Sequence, residues 1–78
     1  MARFIPADFT TGSLELRYDN ESEEIIIYGT AEGMKRLAEI CLGLADRLKK
    51  KTNDHTHLED MDLLTSASIR GTVAAFRS

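Results

Sequence analysis

The run from Thr30 to Lys51 constrains this chain more than any other stretch. Met34, Leu37, Ala38, Cys41, Leu44, Ala45 and Leu48 recur at steps of three and four, the spacing of a helix with one buried face. Glu32, Lys35, Arg36, Glu39, Asp46, Arg47 and Lys50 fall on the other side. Ile40 and Leu42 widen the apolar stripe. Thr30 suits the N-cap, where its hydroxyl accepts from an orphan N–H. Glu32 near the start and Lys49 to Lys51 near the end match the helix dipole. Glu32 to Arg36 and Asp46 to Lys50 have the spacing of surface ion pairs. Gly33 and Gly43 weaken the helix intrinsically, and Gly43 is the candidate for a close approach by another element.

The remainder reads as sheet. Leu14, Leu16 and Tyr18 alternate with Glu15, Arg17 and Asp19, the pattern of a half-buried strand. Asn20 to Glu23 is turn-like, and Glu24 to Gly29 is a second strand rich in β-branched residues. Pairing Tyr18 with Ile25 and Leu16 with Ile27 puts these four on one face with Leu14, leaving Ile26 and Tyr28 beside Arg17 and Glu15. A slip by one residue exchanges the sets. Four apolar residues in succession, Ile25 to Tyr28, suggest a strand covered on both sides or part of an interface. After the helix, His55 to Leu58 reads as a short strand, Glu59 to Asp62 as an acidic turn, and Ile69 to Phe76 as a last strand. Gly71 in it marks a bulge or a close backbone contact. The expected fold is α+β: one antiparallel sheet of about four strands, order β-β-α-β-β, with one amphipathic helix on one face. Residues 1–78 are expected to make one domain, with 1–12 an arm or edge strand.

Charge and composition narrow the function classes. A formal net charge of −3 argues against nucleic acid as a partner, as does a supply of only two tyrosines and three phenylalanines. No run approaches the roughly 18 apolar residues of a membrane span. MARFIPADF carries no apolar run of signal-peptide length, and the single cysteine, Cys41, reads as a small buried hydrophobe. A cytoplasmic location is therefore expected.

Few constellations carry chemistry. His55 and His57 project to the same side of a strand, but a zinc site needs further ligands, and Cys41 lies against the opposite face. Ser66, Ser68 and His57 are close in sequence without a nucleophile elbow. GTAEG, Gly29 to Gly33, lacks the lysine and the length of a phosphate loop. The expectation is no catalytic residue, no cofactor and no metal. The acidic turn of Glu59, Asp60 and Asp62 could face a basic partner, where such charge speeds association.

The features LELRYDNESEEIIIYGT, the helix, HTHLED and LLTSASIRGTV, in this order, resemble the Imm32-like family of bacterial immunity proteins. His57, Leu58, Leu64, Thr65 and Ser68 match its pattern, and the resemblance spans roughly Leu14 to Val73. It implies a cytoplasmic, non-enzymatic protein that binds a toxin domain. The candidate surface is the sheet face away from the helix: Arg17, Tyr28, His55 and His57, flanked by Glu59, Asp60 and Asp62, with His57 held by Ser66 or Ser68. One rival reading is a homodimer of structural or regulatory role, formed through Ile26, Tyr28 and Phe76 or through a Phe4/Phe9 arm. Another is metal-dependent chemistry at His55 and His57.

Overall fold

A computed structural model describes residues 12–77. The N-terminal arm, with Phe4 and Phe9, lies outside them. The elements run β1 (Leu14–Asp19), β2 (Glu24–Gly29), α1 (Ala31–Arg47), β3 (Asn53–His57), a 3₁₀ turn (Leu58–Met61) and β4 (Thr72–Phe76). The α+β class and the β-β-α-β-β order are those the sequence implies.

The first hairpin takes the expected register, Leu16 opposite Ile27 and Tyr18 opposite Ile25. Its loop closes on Asp19, whose carboxylate accepts from the Glu21 N–H and the Ser22 hydroxyl. The helix starts where Thr30 predicts, with its hydroxyl accepting from the Gly33 N–H at 3.0 Å. It stops a turn early: Leu48 is the C-cap, and Lys49 and Lys50 follow as a turn. The expected surface pairs are replaced. Asp46 meets Lys49 at 2.9 Å, and Arg36 reaches across to donate to the Met61 carbonyl at 2.8 Å. Arg36 thus ties α1 to the turn after β3.

Among the described residues the expected single four-stranded sheet is replaced by two smaller ones. The strands pair in twos, β1 with β2 and β3 with β4, both antiparallel. The edge of β1 that a further strand would need is taken by the segment after the 3₁₀ turn. Ser13 and Leu14 donate to the Leu63 carbonyl, Thr65 N–H donates to the Leu14 carbonyl, and Ile69 N–H donates to the Leu16 carbonyl. Leu64 makes one parallel bridge with Leu14. At Leu16 the acceptor is the Ser68 hydroxyl, 2.8 Å away, in place of a carbonyl. A segment of serines and threonines thus satisfies a strand edge without being a regular strand.

Among the described residues the core is small: Leu14, Leu16, Leu58 and Leu63, with Leu37, Ile40, Leu64 and Val73 packed on it. Cys41 is exposed, contrary to expectation. Only Gly33 and Leu44 of α1 are fully buried, because a two-stranded hairpin is too narrow to cover the whole stripe. The close approach is at Gly33, not Gly43. A Cβ on Gly33 would lie 1.9 Å from the Ser13 carbonyl oxygen. Gly71 precedes β4 and abuts Leu16, with its carbonyl accepting from the Leu58 N–H at 2.7 Å. That is the close contact its sequence position suggests. Among the described residues no helix is long and apolar enough to cross a membrane.

Candidate functional site

The candidate residues fall into two groups on different sheets. On β3–β4, the register puts His55 opposite Ala74, His57 opposite Thr72 and Asn53 opposite Phe76. These six share one face. Asp54, Thr56, Val73 and Ala75 point the other way and are half-buried. The two histidine rings meet edge to face at 4.9 Å between centroids. His57 Nδ1 lies 2.8 Å from the Thr72 hydroxyl. The Thr72 hydroxyl thus holds the ring, a residue not expected in that role. Ser68 is committed to β1, and it also donates to the Ile69 carbonyl.

Glu59 joins this group from the 3₁₀ turn. One carboxylate oxygen accepts from the Gly71 N–H at 3.2 Å. The other lies 3.6 Å from His57 Nδ1 and 3.5 Å from Arg70 Nε. Its own backbone N–H, then that of Gly71, then the charges of Arg70 and His57 hold its carboxyl below the usual glutamate range. Asp60 and Asp62 continue the turn and are exposed, Asp62 with a left-handed backbone at φ 53°. Phe76, 77% exposed, ends the same face. Histidine, arginine, carboxylate and an exposed ring together make a mixed-charge surface with an aromatic rim, suited to recognition of another protein. Arg70, Thr72 and Phe76 are the members that sequence reasoning did not assign to the site. The β3–β4 register is the signal that places Thr72 and Phe76 there, and Glu59 brings in Arg70.

Arg17 and Tyr28 form the second group, on β1–β2. The Arg17 guanidinium lies 5.3 Å from the centre of the Tyr28 ring, a cation–π contact, and Arg17 Nε donates to Glu15. Glu15 is the unexpected member. Its place in the alternation predicts solvent, yet it is completely buried, and its other oxygen accepts from the Thr65 hydroxyl at 2.6 Å. Arg17 is thereby positioned by a buried carboxylate.

Among the described residues no three His, Cys, Asp or Glu side chains are grouped to hold a metal ion. An apolar concavity of about 420 Å³ lies between α1, the hairpin and the segment leading into β4, with Leu16, Ile25, Ile27, Leu37, Ile69 and Val73 among its walls.

The protein-family model for Immunity protein 32 (Imm32) matches residues 24–77. The chain belongs to that family. No curated protein and no solved structure matches it. The Imm32 match begins at the first residue of β2 and runs through the last residue of β4. The histidine group, the acidic turn and Tyr28 therefore lie inside the family region, and Glu15 and Arg17 lie outside it.

Acid should weaken this protein through three carboxylates. The Arg47 guanidinium and the His55 N–H hold Asp54 below its ordinary value of 3.8, Ser22 and the Glu21 N–H do the same for Asp19, and Glu59 lies below 4.5. Each contributes stability in full above those values, and loses it as pH falls through the lower folded-state values. The melting temperature is expected to decline below about pH 4.5. Asp54→Asn, which loses the Arg47 contact at 2.5 Å, should shallow that decline. An unchanged acid slope would show that Asp54 does not contribute.

Proposed function

We propose that this Imm32 protein is a non-enzymatic, cytoplasmic immunity protein that neutralises a cognate toxin domain by direct contact. Membership of the family across residues 24–77 carries the reading. The contact surface is the outer face of β3–β4, with His55, His57 and Glu59, extended by Asp60 and Asp62 of the acidic turn and by Arg70 and Phe76. Arg17 and Tyr28 form a second patch on β1–β2. Their separation onto two sheets favours the histidine face as the centre. That face and the 3₁₀ turn beside it gather both signs of charge, an exposed ring and a hydrogen-bonded histidine.

The test is binding of the toxin domain encoded by a neighbouring gene, measured by calorimetry and by rescue of toxin-expressing cells. The His55→Ala/His57→Ala double variant is expected to weaken binding at least tenfold, in the range of an interface hot spot, and to lose rescue. Its fold, followed by circular dichroism, should be retained, since both histidines are exposed. Wild-type binding with an unchanged constant in the double variant would remove this face. No binding or rescue by the wild-type protein would remove the function.

A further inference from the structure

Among the described residues the outer edge of β2 is an open pairing edge. The Thr30 N–H donates to the Ser13 carbonyl, which sets the phase of the β1–β2 ladder. Leu14 and Leu16 turn their backbone groups away from β2, toward the Leu63–Ile69 segment. Glu15, Arg17 and Asp19 therefore face Tyr28, Ile26 and Glu24 across the ladder. By the same alternation Ile25 and Ile27 direct both N–H and C=O outward, and among the described residues no backbone group is bonded to them there. The two residues are 57% and 47% exposed. Glu24–Gly29 has neither lysine nor proline, the residues that guard natural strand edges, and its one charge is at its end.

We propose that this edge pairs with β2 of a second copy of the chain, antiparallel about a two-fold axis through Ile26. The register is self-complementary. Ile25 of one copy meets Ile27 of the other in hydrogen-bonded pairs, and Ile26 meets Ile26 in a non-hydrogen-bonded pair. On the helix side, Leu16 and Ile27 of one copy continue into Ile25 and Tyr18 of the other, an apolar row four strands wide that repeats by symmetry. The row is continuous with the apolar groove, so pairing extends a core that the narrow hairpin leaves half-covered. On the other face Glu24 meets Tyr28, and no like charges stand opposite across the new junction. This self-match of an apolar, unguarded edge favours a second copy over a foreign strand. The paired strand lies on the other sheet from His55 and His57, although Arg70 and Thr72 reach the groove, so the self-match of β2 stands without the toxin reading.

Sedimentation of the full chain should show a reversible dimer with a micromolar dissociation constant. Of the backbone groups, Ile27→Pro removes an outward N–H and no bond of the β1–β2 ladder, and its side chain is half-exposed, so it should give a monomer that keeps its strand and helix circular dichroism. A cross-link fixes the register and does not need that variant to fold. In a Cys41→Ala background, Ile26→Cys should form an intermolecular disulfide under mild oxidation, because non-hydrogen-bonded pairs bring Cα atoms to about 4.5 Å. A wild-type monomer throughout the micromolar range overturns the proposal. So does a dimer that persists, folded, in Ile27→Pro, or a dimer in which Ile26→Cys does not cross-link. A monomer whose toxin binding is lost in Ile27→Pro would assign the edge to the toxin and overturn self-pairing.

Discussion

Glu15→Ala is expected to lower the unfolding free energy by about 3 kcal/mol, a large part of the 5–15 kcal/mol available to a typical domain. The carboxylate accepts from the Thr65 hydroxyl and from Arg17, and is wholly removed from water. Its removal leaves Thr65, 4% exposed, with a hydroxyl donor that lacks this acceptor, and frees Arg17 from its orienting partner. Arg17 is part-exposed and can turn to water, so the penalty sits mainly at Thr65 and at the cavity left behind. Thr65→Val alone should cost about 1–2 kcal/mol. In a double-mutant cycle measured by urea unfolding, the two losses should fall short of additivity by about 1 kcal/mol or more. Strict additivity would show that the buried carboxylate and the hydroxyl do not stabilise one another.

Gly33→Ala should also destabilise, by about 3 kcal/mol, although alanine is the better helix former by up to about 1 kcal/mol. The two effects oppose each other, and their sizes decide the sign. The new Cβ would stand 1.9 Å from the Ser13 carbonyl oxygen, a backbone atom held in place because it accepts from the Thr30 N–H at 3.1 Å. The clash can be relieved only by lifting the helix N-terminus off β1, which breaks that hydrogen bond. Gly43→Ala is the control. Its Cβ meets only the Arg47 guanidinium at 3.5 Å, an ordinary contact, so propensity should prevail and the melting temperature should rise slightly. Equal responses from the two glycines would refute the docking argument.

Much of the local structure is legible in the residues. Thr30 caps its helix because its hydroxyl reaches the Gly33 N–H without any help from tertiary structure. Alternation offers the hairpin two registers one residue apart, and the structure takes the one with Leu16 opposite Ile27, Leu14 and Leu16 being buried in the core. His55 and His57 share a face because a strand has a period of two. The features that sequence reasoning missed depend on contacts distant in the chain. Glu15 and Thr65 are 50 positions apart, and nothing in the alternation around Glu15 announces a cover. The helix stripe correctly signals amphipathicity but not how wide a surface is available to bury it, so Cys41 remains exposed. The site behaves likewise: the His-x-His spacing is visible, while Arg70 and Thr72 join only through the β3–β4 register and Glu59.

By itself, then, the sequence determined the helix, its cap and the first hairpin, because these rest on periods and hydrogen bonds within a few residues; the hairpin register stayed open to a one-residue slip until the structure chose between the two. Tertiary structure decided how the strands were shared between sheets. The Leu63–Ile69 segment reached the free edge of β1 and bonded it with backbone and serine groups, so β3 and β4 paired apart. The helix that constrained the chain at the outset consequently covers two narrow sheets incompletely. What it leaves uncovered, the apolar groove beside β2, follows from that division of edges.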